Sequence, residues 1–545
     1  VLLTTASIVR LTVTNAETSF HITELRECRS AVIDDRPTES ADMSTEQHTA
    51  PVDGPVSEVT GTVPAGLSPK LYNDDLAPTS RVGRRWNTYN IFTLWANDVH
   101  SLGNYAFAIG LFALGLGGWQ ILTALVLGGV FLFLLLNLSG FMGEKTGVPF
   151  PVMSRISFGF RGAQIPALIR GGVAIAWFGI QTYLASVVLR IMLVALFPGA
   201  ADLDTNRFLG LSTLGWISFV SLWVIQVIIV SYGMEMIRRY EAFAGPVILV
   251  TMVALAVWML SNADWTIAWS TPDSLTGVDM WLQIIGGASL WVAIYGTFVL
   301  NFCDFTRNAE SRKAIVRGNF WGIPLNMLLF GAIVITLAGA QFRINGTVIE
   351  SPSDIVQTVP NTFLLVLACL ALLILTVAVN LMANFVAPIY ALSNLFPRHL
   401  DFRRAALVAA IIGLVILPWN LYNSPAVINY FLGGLGALLG PLFGIVMADY
   451  WLVRRSRIDV PALFTEAPGA AYHYRNGVNM RAILALVPTA AIALVMAFVP
   501  AFEVISEFSW FIGAGLGAIV YLAVADRRGP FAEVSGEPIS VASTH

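Results

Sequence analysis

Charge is what this sequence has least of. Only 12% of its 545 residues are Asp, Glu, Lys or Arg, while 56% are hydrophobic. A soluble domain keeps roughly a quarter of its residues charged, because its surface faces water. Half that proportion excludes an ordinary water-facing exterior and points to lipid. Cysteine is scarce too. Cys28, Cys303 and Cys369 stand far apart, which excludes a disulfide framework and any zinc-type ligand spacing. The formal net charge of -3 names no polyanionic partner such as nucleic acid. There is no P-loop, no H-E-x-x-H, no G-x-S-x-G and no dinucleotide fingerprint. ATP-driven processes and the common hydrolase chemistries are therefore without support, and no metal or cofactor is implied.

What is present is a series of long apolar runs. A helix crossing a bilayer needs about 20 mostly apolar residues. Runs of that kind fall near 90–116, 120–142, 165–197, 210–232, 243–261, 281–301, 319–340, 361–387, 403–418, 426–449, 480–499 and 505–525. The fold class predicted is an all-α integral membrane protein with about twelve spans. Charge placement is an independent check. Basic residues collect in alternate connections: Lys70, Arg81, Arg84 and Arg85; Lys145, Arg155 and Arg161; Arg238 and Arg239; Arg307, Arg312, Lys313 and Arg317; Arg398, Arg403 and Arg404; Arg454, Arg455, Arg457 and Arg475; Arg527 and Arg528. The intervening connections carry Asp202, Asp204, Asp264, Asp273, Glu350 and Asp354, with Arg207 and Arg343 the exceptions. This is the positive-inside pattern with both termini cytoplasmic. A wrong span count would scramble it.

Polar side chains at membrane depth are costly and mark cavities or pathways. The first span reads NIFTLWANDVHSLGNYAFAIG (90–110), with Asn97, Asp98, His100, Ser101, Gly103 and Asn104 crowding its middle. Such polarity beside glycine predicts a broken helix, the device that exposes carbonyls and amides at the midplane of transporters. The alternative is a polar seam packed on neighbouring helices. His100 is either a proton relay or a hydrogen-bonded structural residue. In the third span, Trp177 and Gln181 are four apart and share a face. An indole offers a flat stacking surface and an amide offers donors and an acceptor, a set that suits a small planar ring with lactam edges. Spacing alone does not separate that reading from a packing Trp and a helix-bridging Gln. Asn380 and Asn384 of the eighth span are again four apart, and serve either other helices or a ligand. In the sixth span, Gly286 and Gly287 predict a break, and Trp291 and Tyr295 share a face. Asp304 beside Arg307 reads as an ion pair, and Arg190 as a cation that snorkels or pairs with an acid.

These residues sit within stretches that match a known family. LWANDVHSLGNY (94–105), GVPFPVMSRISFGFRGAQIPALIR (147–170), AWFGIQTYL (176–184), LNFCDFTR (300–307), ANFVAPIYALSNLFP (383–397), LPWNLY (417–422) and LGPLFGIVMADYWLVRR (439–455) carry the resemblance. The chain resembles the nucleobase–cation symporters, which include permeases for cytosine, uracil, allantoin and hydantoins. The resemblance covers roughly residues 80–525. It implies a LeuT-type architecture, with two inverted repeats of five spans followed by two further helices. It also implies roles. Trp177 matches the aromatic that stacks on substrate, Gln181 its hydrogen-bonding amide, and Asn384 the amide of the eighth span. Ser101 falls on the polar first-span position that touches substrate. Tyr295 falls on the sixth-span aromatic, with Trp291 one turn earlier as its rival. Asn380 joins them as a substrate candidate.

One departure bears on coupling. Ala378 and Val379 stand where the sodium–hydantoin member carries two hydroxyl side chains that help bind sodium. A hard cation loses oxygen donors there, while Asp98 offers a titratable carboxylate. Asn97, Asp98 and His100 are therefore the candidate cation-coupling residues, and the expected coupling ion is the proton, with sodium as the alternative. The expected activity is import of a planar nucleobase-like heterocycle (uracil, cytosine, allantoin, a hydantoin or a purine) by a symporter in the plasma membrane, which is the inner membrane in bacteria. The alternatives are a sodium-coupled transporter of another small solute and a membrane-embedded enzyme; Asp98 and His100 alone do not make the reactive constellation an enzyme needs. The predicted layout is a disordered cytoplasmic tail over 1–80, a transporter domain over 81–528 and a disordered tail over 529–545. Met43 opens an ordinary hydrophilic tail, so 1–42 is expected to be a start-site artefact.

Overall fold

The computed structural model describes residues 63–272, 274–349 and 352–539. The expected disorder of 1–62 and 540–545, and the start-site reading of 1–42, lie outside the described residues.

Without water to bond to, an apolar run must satisfy its backbone groups internally, and a helix does this. The main helices are α1 (Thr88–Val99), α2 (Leu102–Ala113), α3 (Gly118–Thr146), α4 (Gln164–Leu196), α5 (Thr213–Ser231), α6 (Met234–Asn262), α7 (Gly277–Ile294), α8 (Gly296–Asn301), α9 (Arg312–Asn345), α10 (Thr362–Leu395), α11 (Phe402–Val415), α12 (Pro425–Met447), α13 (Met480–Phe498) and α14 (Ser509–Val524). Every predicted span contains helix. Among the described residues, nine helices are long and apolar enough to cross a membrane, against twelve predicted. The other three predicted spans are the first, divided into α1 and α2, the ninth, holding α11 of 14 residues, and the twelfth, holding α14 of 16.

Local chemistry explains the interruptions. Asn87 caps α1 in a reciprocal box with Asn90. The helix stops at Val99, and Ser101 turns extended (φ -65°, ψ 153°) to cap α2, its Oγ accepting from the Asn104 N–H. The first-span break therefore falls where expected. The sixth-span break does not. Gly286 and Gly287 lie inside α7, and the chain changes course at Tyr295 between α7 and α8. The glycines serve packing instead: the Glu507 carboxylate covers the place of a side chain at Gly286, and Leu111 packs over Gly287. α9 and α10 each contain a π-helical turn, at Trp321–Leu325 and Leu381–Phe385. Pro324 lies within the first. Pro388, just after the second, has no N–H to offer the carbonyls preceding it.

The fifth span begins earlier than 243. Gly233, with φ +81°, ends one helix and α6 starts at Met234. Arg238 and Arg239, read as loop cations, lie in its first turns and bind Glu235. Arg190 pairs with Asp204 at 2.7 Å. Beyond it, Arg207–Phe208 (β1) pairs antiparallel with Leu211–Ser212 (β2) around a turn in which Leu209 and Gly210 both take positive φ.

Residues 63–80 belong to the folded body. Leu71, Tyr72, Leu76 and Ala77 are buried, and polar bonds hold their backbone. Arg307 donates to the carbonyls of Asp75 (2.8 Å) and Ala77 and to Thr79 Oγ1 (2.9 Å). Arg155 donates to the Leu71 carbonyl (3.0 Å), and Asn73 Nδ2 to that of Pro397 (2.9 Å). The segment's polar composition hid this, because the bonds go to its main chain. Residues 529–539 are also engaged: Glu533 pairs with Lys145 at 2.8 Å and Ile539 is buried.

Candidate functional site

Breaking α1 from α2 leaves carbonyls at membrane depth without helical partners. Asn104 meets them. Its Nδ2 lies 2.8 Å from the Asp98 carbonyl, 3.4 Å from that of Val99 and 2.9 Å from the Tyr295 hydroxyl. Tyr295, at the sixth-span break, also has its hydroxyl against the Asp98 carboxylate. The two broken spans are thus joined at their breaks by Asp98, Asn104 and Tyr295. Ser101 is buried here as the cap of α2. Asn97 faces α6, where it donates to the carbonyl (3.0 Å) and the side chain of Glu241.

His100 is fully buried, and both ring nitrogens are occupied, Nδ1 by the Tyr105 hydroxyl at 2.6 Å and Nε2 by Asn326 Oδ1 at 3.2 Å. The geometry is that of a structural bridge from the first span to α9. Trp291 is fully buried among Phe107, Tyr295 and Phe330, with ring centroids 5.5–5.6 Å apart. Its faces are already covered by protein. Tyr295, at the break itself, is buried as well, among Trp95, Trp291 and Phe298.

A second cluster joins α4 and α10. Asn380 is fully buried; its Nδ2 lies 3.2 Å from the Phe178 carbonyl, 3.0 Å from Thr182 Oγ1 and 2.6 Å from Gln226 Oε1. It ties α10 to α4 and α5. Asn384, within the π turn, donates to Asn380 Oδ1 at 2.8 Å. Its own carbonyl oxygen has no protein donor among the described residues. Gln181 differs from every other buried amide here: it is 8% exposed and has no hydrogen-bonding partner among the described residues. Trp177, one turn before it, is half-buried, and its ring meets Phe431 of α12 at 5.7 Å. Ala378 and Val379 are buried and bring no side-chain oxygen.

Arg170, near the start of α4, connects the clusters. It donates to the Thr297 carbonyl (3.2 Å) and Asn301 Oδ1 (3.1 Å) of α8, and to the Ala383 carbonyl (3.0 Å) beside Asn384. Sequence reading gave it no role; it stands only as the last residue of the 147–170 match. Asp304 was also read differently. Its carboxylate accepts from the Phe150 N–H and Asn301 Nδ2, both at 2.6 Å, while Arg307 turns to residues 75–79. A cavity of about 1240 Å³ bounded by Leu67, Asp449, Arg454, Tyr472 and Phe531 lies elsewhere, and none of the ten candidate residues lines it. Glu241 was missed because the fifth span was started two residues after it; an acidic residue just beyond the Glu235, Arg238 and Arg239 group, at the edge of the apolar run, was the available signal.

Two broken helices meeting at a polar midpoint, packed on a pair of long helices that carry amides, define a membrane transporter of the LeuT type. Comparison gives the family. Residues 78–513 match the family of permeases for cytosine/purines, uracil, thiamine and allantoin, and the chain belongs to this nucleobase–cation symporter family. The allantoin permease of Bacillus subtilis is 34% identical over 460 residues, covering 84% of this chain and 94% of that protein. The purine-uracil permease of Arabidopsis thaliana is 31% identical, covering 81% and 74%. A nucleobase-cation-symport-1 family transporter, solved in a closed conformation with bromovinylhydantoin bound, superposes with a TM-score of 0.70 at 24% identity, over 83% of this chain and 95% of that one. Its likeness carries the fold.

Proposed function

We propose that this permease is a proton-coupled symporter that imports a small planar heterocycle with lactam edges, such as uracil, cytosine, allantoin or a hydantoin. The observation that carries the reading is the unpartnered amide of Gln181, one turn from Trp177. An amide that bonds to no other protein group among the described residues is left open to a ligand. A lactam offers an N–H and a C=O side by side, which is the complement of such an amide. Trp177 and Tyr295 would hold the ring, with Gln181, Asn384 and Ser101 reading its edge. Asn380 would act through Asn384. Substrate would enter from outside, with both termini cytoplasmic, and the two repeats would rock about it.

Proton coupling is supported by Ala378 and Val379, which supply no oxygen ligand, and by the carboxylate of Asp98 beside the break. Uptake of labelled uracil, cytosine, allantoin, hydantoin and purines, each competed by the others, identifies the substrate. With that substrate, Gln181→Ala and Trp177→Ala are each expected to lower uptake by about tenfold or more at unchanged membrane abundance. Wild-type rates in both variants would remove these residues from the site. Uptake that depends strictly on sodium, ignores pH and survives Asp98→Asn would reject the proton.

A further inference from the structure

Glu241 lies two turns into α6 and is 1% exposed. One carboxylate oxygen accepts from Asn97 Nδ2. Among the described residues the other has no protein donor, and neither has Asn97 Oδ1, which is also fully buried. Asp98, the next residue on α1, adds a second carboxylate that bears on Glu241.

No helix packed here supplies a counter-charge among the described residues. Arg238, one turn earlier on α6, is bound by Glu235 at 2.7 and 2.8 Å. α5 and the stretch Thr362–Asn380 of α10 contain no charged residue. The cations of α9, Arg312, Lys313, Arg317 and Arg343, lie at its two ends. The neighbouring titratable groups are otherwise engaged: Tyr240 donates to the Ile374 carbonyl, Tyr295 meets Asn104 and Asp98, and His100 bridges Tyr105 and Asn326.

Orphaned acceptor oxygens on two facing helices, beside two carboxylates, lack one thing, which is a positive charge. A buried charge that no side chain neutralises marks an ion pathway more often than a packing contact. We infer that Glu241, with Asn97 and Asp98, forms the binding site of the coupling cation, in which Glu241 carries the charge that the cation cancels. This rests on the transport reading. Occupancy of the site holds α1 against α6, and its loss sets two like charges against each other across that contact. Coupling of cation to substrate follows, because α1 ends at the break where Ser101 and Tyr295 lie. A proton and a sodium ion both supply a single positive charge, so the test separates them.

The purified full chain is reconstituted in liposomes. Uptake of labelled uracil and of labelled allantoin is measured with an inward proton gradient in sodium-free buffer, with an inward sodium gradient at equal pH on both sides, and with no gradient. Wild type is expected to be stimulated at least about fivefold by one of the two gradients. Glu241→Gln is expected to bring that ratio to about 1, whereas a lesion that only weakens folding lowers all three rates together and preserves the ratio. Glu241→Asp is expected to keep the stimulation while shifting the half-saturating cation concentration at least about fivefold. A wild-type ratio in Glu241→Gln overturns the inference. If that variant yields no protein, Glu241→Asp decides: an unshifted half-saturation overturns it. If wild type takes up neither these two nor labelled cytosine, hydantoin or purines under any gradient, the transport reading fails and this site falls with it.

Discussion

Two asparagines one turn apart on α10 show how the same side chain takes different roles. Asn380 donates into Phe178, Thr182 and Gln226, so its amide holds three helices together. Gln181, on the helix opposite, has no such partner. Removing Asn380 leaves buried acceptors unpaired, which costs about 1–3 kcal/mol per group, although polar bonds between helices in a bilayer average nearer about 0.6 kcal/mol. Asn380→Ala is therefore expected to lower the melting temperature of the detergent-solubilised protein. Gln181→Ala is expected to leave the melting temperature of the substrate-free protein unchanged and to abolish the rise that substrate produces. Thermal melts with and without substrate read both effects. A stability loss in Gln181→Ala equal to that of Asn380→Ala would mean that the two amides are equivalent packing groups. Spacing placed Asn380 with Asn384, and Trp177 with Gln181, on shared helix faces. It did not separate bonded amides from free ones, because that depends on Thr182 and Gln226, residues from other helices that no local pattern connects to them.

Elements were legible where the chain obeys one rule over many residues. Apolar length predicted helix in every span, and the polar crowd at 97–104 predicted the first break, because a run that cannot face lipid must be interrupted or packed inside. The sixth break was misplaced from Tyr295 to Gly286–Gly287. Glycine permits a break and close packing alike, and Glu507, more than 200 positions away, decides which. The segment 63–80 was misread for a related reason: its order comes from arginines bonding its carbonyls, and main-chain acceptors leave no trace in side-chain composition. Arg155 is the clearest case. Fully buried and without a carboxylate partner among the described residues, it reaches the Leu463 carbonyl (2.7 Å), the Leu71 carbonyl (3.0 Å) and Asn394 Oδ1 (2.6 Å), with Phe464 under its plane. A planar fork satisfies acceptors in several directions, and an ammonium group does not reproduce that geometry. Arg155→Lys is expected to cost about 2–4 kcal/mol as charge-assisted bonds to separate segments are lost. Limited proteolysis should then cut within 63–80 well before the helices. Unchanged cleavage and melting would show that Arg155 does not hold the segment, leaving Arg307, Asn73 and the apolar residues to do so.

At the scale of the whole molecule, the question is which contacts must part when the repeats move. α4 packs along α10, and α3 along α7. Arg170 crosses between these groups. Its bond to Ala383 stays within the α4–α10 pair, while its bonds to Thr297 and Asn301 reach α8. If the two repeats rock as proposed, opening the midpoint toward residues 63–80 would part α8 from α4, and the α8 bonds would be the ones to break. Each is charge-assisted, and together they restrain that opening by about 2–4 kcal/mol. A restraint of that size shifts a two-state equilibrium by more than tenfold. Removing it biases the protein toward the open form and slows the return step of the cycle. With Cys28 replaced by Ser, a cysteine at Thr297 reports this against a quiet background, since Cys303 and Cys369 are both buried. In Thr297→Cys, the added change Arg170→Ala is expected to raise the rate of labelling by a membrane-impermeant maleimide, applied from the side of residues 63–80, by about fivefold or more, and to lower net uptake. Equal labelling rates with and without Arg170 would mean that this side chain does not restrain opening at that end. The closure would then rest on the apolar contacts of α8 alone, and Arg170 would be a fixed brace within the α4–α10 pair.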